Sequence, residues 1–118
     1  MDTLKFSLDR IEKPVEINGE TFTLVELDGR ERDRYLTSLT RRVRTDKSGD
    51  VSGVKDFDGL QASLVSASLY RGTGDSREHV PTAEIQKWPA RVVSALFDAA
   101  KELSALNEED EEEAEKND

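Results

Sequence analysis

The chain has no cysteine among its 118 residues. That excludes disulfide staples and thiolate chemistry, and it fits a reducing compartment. No apolar run approaches the roughly 20 residues needed to span a bilayer. The opening MDTLKFSLDR has no basic stretch followed by an apolar core, so no secretory signal is expected. Histidine occurs once, as His79 in a Gly/Ser-rich stretch, where a solvated side chain is a far commoner role than a general base. The spacings that carry catalysis or phosphate binding (HxxxH, GxGxxG, GxSxG) are missing. YRGTGDS, with Gly72 and Gly74, follows an expected helix rather than a strand, so it reads as a connecting loop. DKSGD and KDFDG lack calcium-loop spacing and its closing Glu. The sequence therefore points to no enzyme, no metal and no cofactor.

Hydrophobic residues make up 35% of the chain and charged residues 36%, on the polar side for a globular protein, so a disordered part is expected. The net charge of −9 is concentrated at one end. The closing NEEDEEEAEKND, residues 107–118, holds eight acids and one base, Lys116. Removing these from the totals leaves 18 acids against 16 bases in residues 1–106. A near-neutral folded body of residues 1–106 and a disordered acidic tail or linker, 107–118, are the expected organisation.

Within the body, PVEINGETFTLV (14–25) reads as a β-hairpin. Asn18-Gly19 suits a two-residue type I′ turn, whose central positions both need positive φ. That turn pairs Ile17 with Glu20, Glu16 with Thr21 and Val15 with Phe22, placing Val15, Ile17, Phe22 and Leu24 on one face. Leu4, Phe6 and Leu8 alternate too and suggest a further strand. Asp28, with Glu31 three residues on, has the form of a capping box opening a helix over about 29–43, with Tyr35, Leu36, Leu39 and Val43 on its apolar side. Residues 45–56 read as a loop. A second helix follows, with Phe57, Leu60, Leu64 and Ala67 as its stripe, Leu69 and Tyr70 near its end and Gly72 as its stop. After the loop GTGDSREHV, Thr82 caps a short helix running through Ile85 to Trp88. Pro89 opens the last helix, with the stripe Val92, Leu96, Ala99, Leu103 and Leu106 widened by Val93, Phe97 and Ala100. The fold class expected is α+β, mainly α: an N-terminal hairpin packed on three or four helices.

Positions 30–47 hold seven bases against three acids. Arg34, Arg41, Arg42 and Arg44 define a candidate basic face for phosphate contact. The competing reading, a solvated helix face with local ion pairs, is favoured because no nucleic-acid motif accompanies it. Contact with the acidic tail of the same or a neighbouring chain is a third reading. Trp88 fits a core anchor at the helix break better than an exposed partner hot spot, although one residue can serve both.

The order of these parts (hairpin, ELDGRER helix, a second apolar helix ending in Leu-Tyr-Arg, a Gly/Asp-rich loop, then PTAEIQKWPARVVSALFDAAKELSALN) resembles the tail assembly chaperones of long-tailed bacteriophages, siphoviruses among them. The matching features are Ile85, Trp88-Pro89, Val92 or Val93, Leu96, Ala100 and Leu106-Asn107, and the looser likeness covers about 14–107. The resemblance implies a non-enzymatic protein of the host cell cytoplasm, absent from the mature virion. It would bind the tape-measure protein, keep it soluble and assist polymerisation of the tail-tube protein, with self-association to supply several copies. The small aromatic content, 6%, suits broad contact of low specificity. Trp88, Val92, Leu96, Phe97 and Leu103 are the expected partner-binding residues. The resemblance also implies a longer form made by a ribosomal frameshift, whose added domain recruits tube subunits. Glu115-Lys116-Asn117 permits the codons GAA-AAA-AAC, which contain a slippery heptamer in the −1 phase. The rival functions are a nucleic-acid-associated regulator using the basic helix 29–43 and an acidic-tailed inhibitor or adaptor.

Overall fold

The computed structural model describes residues 3–41, 43–45, 51–54 and 59–106, with side chains described for 3–41 and 59–106. The expected hairpin forms in the expected register. Strands β1 (Glu12–Ile17) and β2 (Glu20–Val25) pair Val15 with Phe22, Glu16 with Thr21 and Ile17 with Glu20. The turn residues Asn18 and Gly19 have φ of 53° and 78°, as a type I′ turn requires. The expected strand over Leu4–Leu8 does not form. Leu4, Phe6 and Leu8 are 83%, 84% and 98% exposed. Alternation alone makes no strand without a neighbour to supply the ladder.

Helix α1 (Gly29–Arg41) starts on a complete capping box. The Glu31 N–H donates to Asp28 Oδ1 at 2.8 Å, and the Asp28 N–H donates to Glu31 Oε1 at 3.0 Å. The Glu31 N–H, aided by the charge of Arg10, holds the Asp28 carboxyl below its ordinary pKa of 3.8. A depressed carboxylate pKa gives stability that is present above the ordinary value and lost as pH falls through the folded one. Asp28→Asn, which keeps a cap but not the charge, should therefore melt below the wild type at neutral pH. The gap should close in melts taken on acidification below pH 3.8, and a pH-independent gap would show that the charge is irrelevant.

The helix stops at Arg41 rather than 43. Val43 instead lies in β3 (Val43–Thr45), which pairs with β4 (Val51–Val54), a strand inside the stretch read as loop. The β-branched Val43, Val51 and Val54 favour pleated pairing, a signal masked by the surrounding Gly, Ser and Asp. Helix α2 (Leu60–Ser68) is shorter than expected and passes directly into strand β5 (Leu69–Arg71). Phe57 lies outside the described residues. Buried Leu60, Ala62, Leu64, Val65 and Ser68 wrap most of the α2 circumference, as befits a helix covered on several sides.

β5 joins the hairpin: Leu69 pairs with Leu24, Tyr70 with Thr23 and Arg71 with Phe22. A short β6 (Glu78–His79) pairs with β5, giving an antiparallel sheet of order β1-β2-β5-β6. Both strands were missed in sequence, β5 as a helix end and β6 as a loop. Helix α3 (Thr82–Ile85) has Pro81 rather than Thr82 at its N-cap. Helix α4 (Ala90–Leu103) has Pro89 at the N-cap, one position before its first turn. The α4 buried line is Val93, Leu96, Phe97 and Ala100, while Val92, Ala99 and Leu103 sit half-buried on its flank. The stripe read from sequence is thus rotated by about one position. The α4 C-terminus closes as a Schellman motif: the Ala105 N–H reaches the Glu102 carbonyl at 3.2 Å and the Leu106 N–H reaches that of Lys101 at 2.9 Å. Ala105 takes the left-handed φ of 55° there, and buried Leu106 supplies the accompanying apolar contact.

One core joins these parts, including Phe22, Leu24, Leu27, Tyr35, Leu39, Leu64, Val65, Leu69, Val80, Ile85, Leu96, Phe97 and Ala100. The buried Ser68 hydroxyl is satisfied by donating to the Val25 carbonyl at 2.7 Å. The α+β architecture of an N-terminal hairpin with four helices therefore holds among the described residues, with a larger sheet than expected and a second two-stranded one. The acidic tail, 107–118, lies outside the described residues.

Candidate functional site

The largely apolar face of the sheet is set by the hairpin register, which turns Val15, Ile17, Phe22 and Leu24 to one side. Helix α4 lies across this face but does not reach over β1. A groove of about 530 Å³ remains between them, lined on the sheet side by Lys13, Pro14, Val15, Glu16, Ile17 and Leu24. Arg91, Val92, Ala95, Leu96 and Ala99 of α4 form the other wall. Its floor is aliphatic and its charges, Lys13, Glu16 and Arg91, belong to exposed residues. Such a surface can hold an apolar chain segment and offers no convergent acid–base pair.

The expected partner-binding residues divide by position. Val92 and Leu96 line the groove. Trp88 is half-buried and not part of the groove lining, its ring edge-on to Phe22 at 6.1 Å and 80°. Phe97 is buried on the core side of α4, 6.2 Å from the Tyr35 ring, with Lys101 Nζ 5.1 Å from its own centroid. Leu103 is half-buried against the core. Val15 and Ile17, which supply the sheet wall, were legible as apolar hairpin residues but not as groove residues.

Of the candidate basic face, Arg34 and Arg41 are exposed on α1, seven positions apart and so on one side of the helix. Arg42 lies outside the described residues, and Arg44 falls in β3, where only the backbone is described. Arg34 also lines a more polar cavity of about 410 Å³ between α1 and α2, with Glu31, Ser38, Ser63, Ser66 and His79. His79 is held rather than free: its Nδ1 donates to the Ser66 carbonyl at 2.9 Å, and its ring lies 4.0 Å from that of Tyr70.

A well-tied surface cation is Arg71 of β5. Its Nε donates to Glu20 at 2.8 Å, its Nη2 to Glu84 at 2.6 Å, and its guanidinium lies 5.2 Å from the Phe22 centroid. The hydrogen bond from Arg71 lowers the Glu84 pKa. The group ties β2, β5 and α3 together and is structural in character. Among the described residues no cluster of His, Cys, Asp and Glu could hold a metal ion, and no helix is long and apolar enough to cross a membrane.

The described residues thus form a small α+β body with an open, largely apolar groove and several surface ion pairs that join elements of the scaffold. The family comparison is specific. Residues 11–118 match the model of the bacteriophage lambda tail assembly chaperone, TAC, protein G. The chain belongs to this phage tail assembly chaperone family, whose members are non-catalytic helpers. No match was found among curated proteins or among solved structures.

Proposed function

We propose that this protein is a chaperone for the tape-measure protein, holding it soluble in the host cytoplasm while tail-tube subunits polymerise around it. It then leaves before the virion is complete. The family membership over residues 11–118 carries this reading, and the β1–α4 groove supplies a surface for it. A tape measure that is not yet encased exposes long apolar stripes, and an aliphatic groove open along one side accepts such a stripe. Val92 and Leu96 are the direct contacts in this reading, Trp88 and Leu103 extend the surface beyond the groove, and Phe97 acts through packing. A frameshifted longer form would add a tube-recruiting domain beyond residue 118.

Co-expression tests the proposal. The tape-measure protein should be recovered in the soluble fraction with this protein and in the pellet without it. Equal solubility in the two cases would refute the role.

A further inference from the structure

The segment before β1 is the most apolar exposed part of the described surface. Leu4, Phe6, Leu8 and Ile11 are 83%, 84%, 98% and 58% exposed. Single exposed apolar residues are ordinary, but three at alternate positions of a segment without helix or strand are not. In extended form Leu4, Phe6 and Leu8 share one face and Lys5, Ser7 and Asp9 the other. In that form the arm is an amphipathic strand whose apolar side no described residue covers. The family match begins at residue 11, so the arm stands outside what the family model describes.

The root of the arm is fixed. Arg10 bridges Asp28 at 2.8 Å and Glu31 at 3.3 Å. The Ile11 N–H donates to Glu26 Oε1, and its carbonyl accepts from the Glu26 N–H at 2.9 Å. These contacts carry the chain on past the open end of the hairpin, whereas the groove runs along β1 towards the turn. The arm of the same chain would have to reverse direction at this fixed root to enter.

The groove fits such a strand in length and chemistry. Leu4 to Leu8 and Lys13 to Ile17 are equal stretches of extended chain, about 13 Å each, and the helical wall from Arg91 to Ala99 rises about 12 Å. The groove has an apolar floor and an open top, matching a strand with one apolar and one polar face. Pro14 occupies a β1 position opposite Thr23 where the backbone points outward, so its missing N–H blunts the free edge. The occupant must seat through its side chains rather than by a continuous ladder.

We propose that the N-terminal arm of one copy seats Leu4, Phe6 and Leu8 in the β1–α4 groove of a second copy. This goes beyond the tape-measure reading and does not depend on it. Each copy carries one arm and one groove, so the contact covers the groove when no client is present, and an apolar client segment entering it displaces the arm.

Two variants of the full chain separate the halves of the contact. The triple variant L4S/F6S/L8S removes the donor at positions with no intramolecular packing to lose. Ala95→Glu places a charge in the acceptor at an exposed helical position. Sedimentation should show the wild type associating at micromolar concentration and each variant alone weakened by about a hundredfold or more. An equimolar mixture should recover a one-to-one complex, built from the intact arm of one variant and the intact groove of the other. A wild type monomeric throughout, either variant associating as tightly as the wild type, or a mixture that forms no complex would each overturn the proposal. The tape-measure reading, tested by co-expression, would survive any of these results.

Discussion

Leu24→Ala is expected to cost about 3 kcal/mol of stability, within the range for a buried leucine cut to alanine. Leu24 is fully buried near the end of β2, between Lys13 of β1 and Leu69 of β5, and is among the residues lining the groove. Truncation removes transfer free energy and leaves a void between two paired strands and α4, which cannot close without shifting the register. Against a total of about 5–15 kcal/mol for a domain of this kind, that loss should lower the melting temperature by roughly 10 °C. Leu8→Ala, melted below the concentration at which copies associate, is the control. The residue is 98% exposed, and its removal should change stability by less than about 0.5 kcal/mol. Urea melts of the two variants with unchanged slope decide the matter. Equal losses at that dilution would mean that the arm packs on the body of its own chain, contrary to its exposure.

The parts of the fold that were legible in sequence are those whose physics is local. Asn18-Gly19 dictates a turn, the turn dictates the register, and the register dictates which hairpin side chains share a face. Asp28 and Glu31 satisfy each other across three residues. In both cases the signal and the structure occupy the same short window. β5 and β6 are different. They are three and two residues long, too short to carry a period. β5 becomes a strand because β2 offers Leu69 and Tyr70 partners 45 or more positions away, and β6 because β5 then offers Tyr70 and Arg71 to His79 and Glu78. Val43 was drawn into a helix by its spacing from Leu39, although its β-branch suits the pairing with Val54 that it makes.

The groove was half legible. Val92 and Leu96 stood out as helical apolar positions, and Val15 and Ile17 as strand positions. That they face each other across an open gap depends on how far α4 falls short of β1. No helical or strand period encodes that distance. Periodicity likewise failed to separate Val92, on the flank, from Val93, in the core, because a wide apolar stripe leaves the rotation of the helix to be fixed by its neighbours. Leu4, Phe6 and Leu8 had a sound strand pattern, but a pattern only specifies a face and cannot supply the surface that covers it.

Val92→Asp and Phe97→Ala should both abolish tape-measure rescue, for different reasons. Phe97 is 8% exposed, with its ring against Tyr35, so alanine should cost about 3–5 kcal/mol and fail by losing the fold. Val92 is half-buried on the groove wall, in the first turn of α4. An aspartate there meets the positive end of the helix dipole, which offsets part of the lost packing, so the variant should keep a melting profile near that of the wild type. Its carboxylate would nevertheless have to be desolvated beneath an apolar client. That should reduce the soluble tape-measure yield at least about tenfold. Normal rescue by Val92→Asp would remove the α4 wall from the binding surface. The triple arm variant L4S/F6S/L8S supplies the opposite case. It leaves the groove intact and takes away its competitor, so rescue should be equal to or stronger than that of the wild type. Loss of rescue there would make the arm itself the client contact, because a residue that only covers the groove cannot be required to fill it.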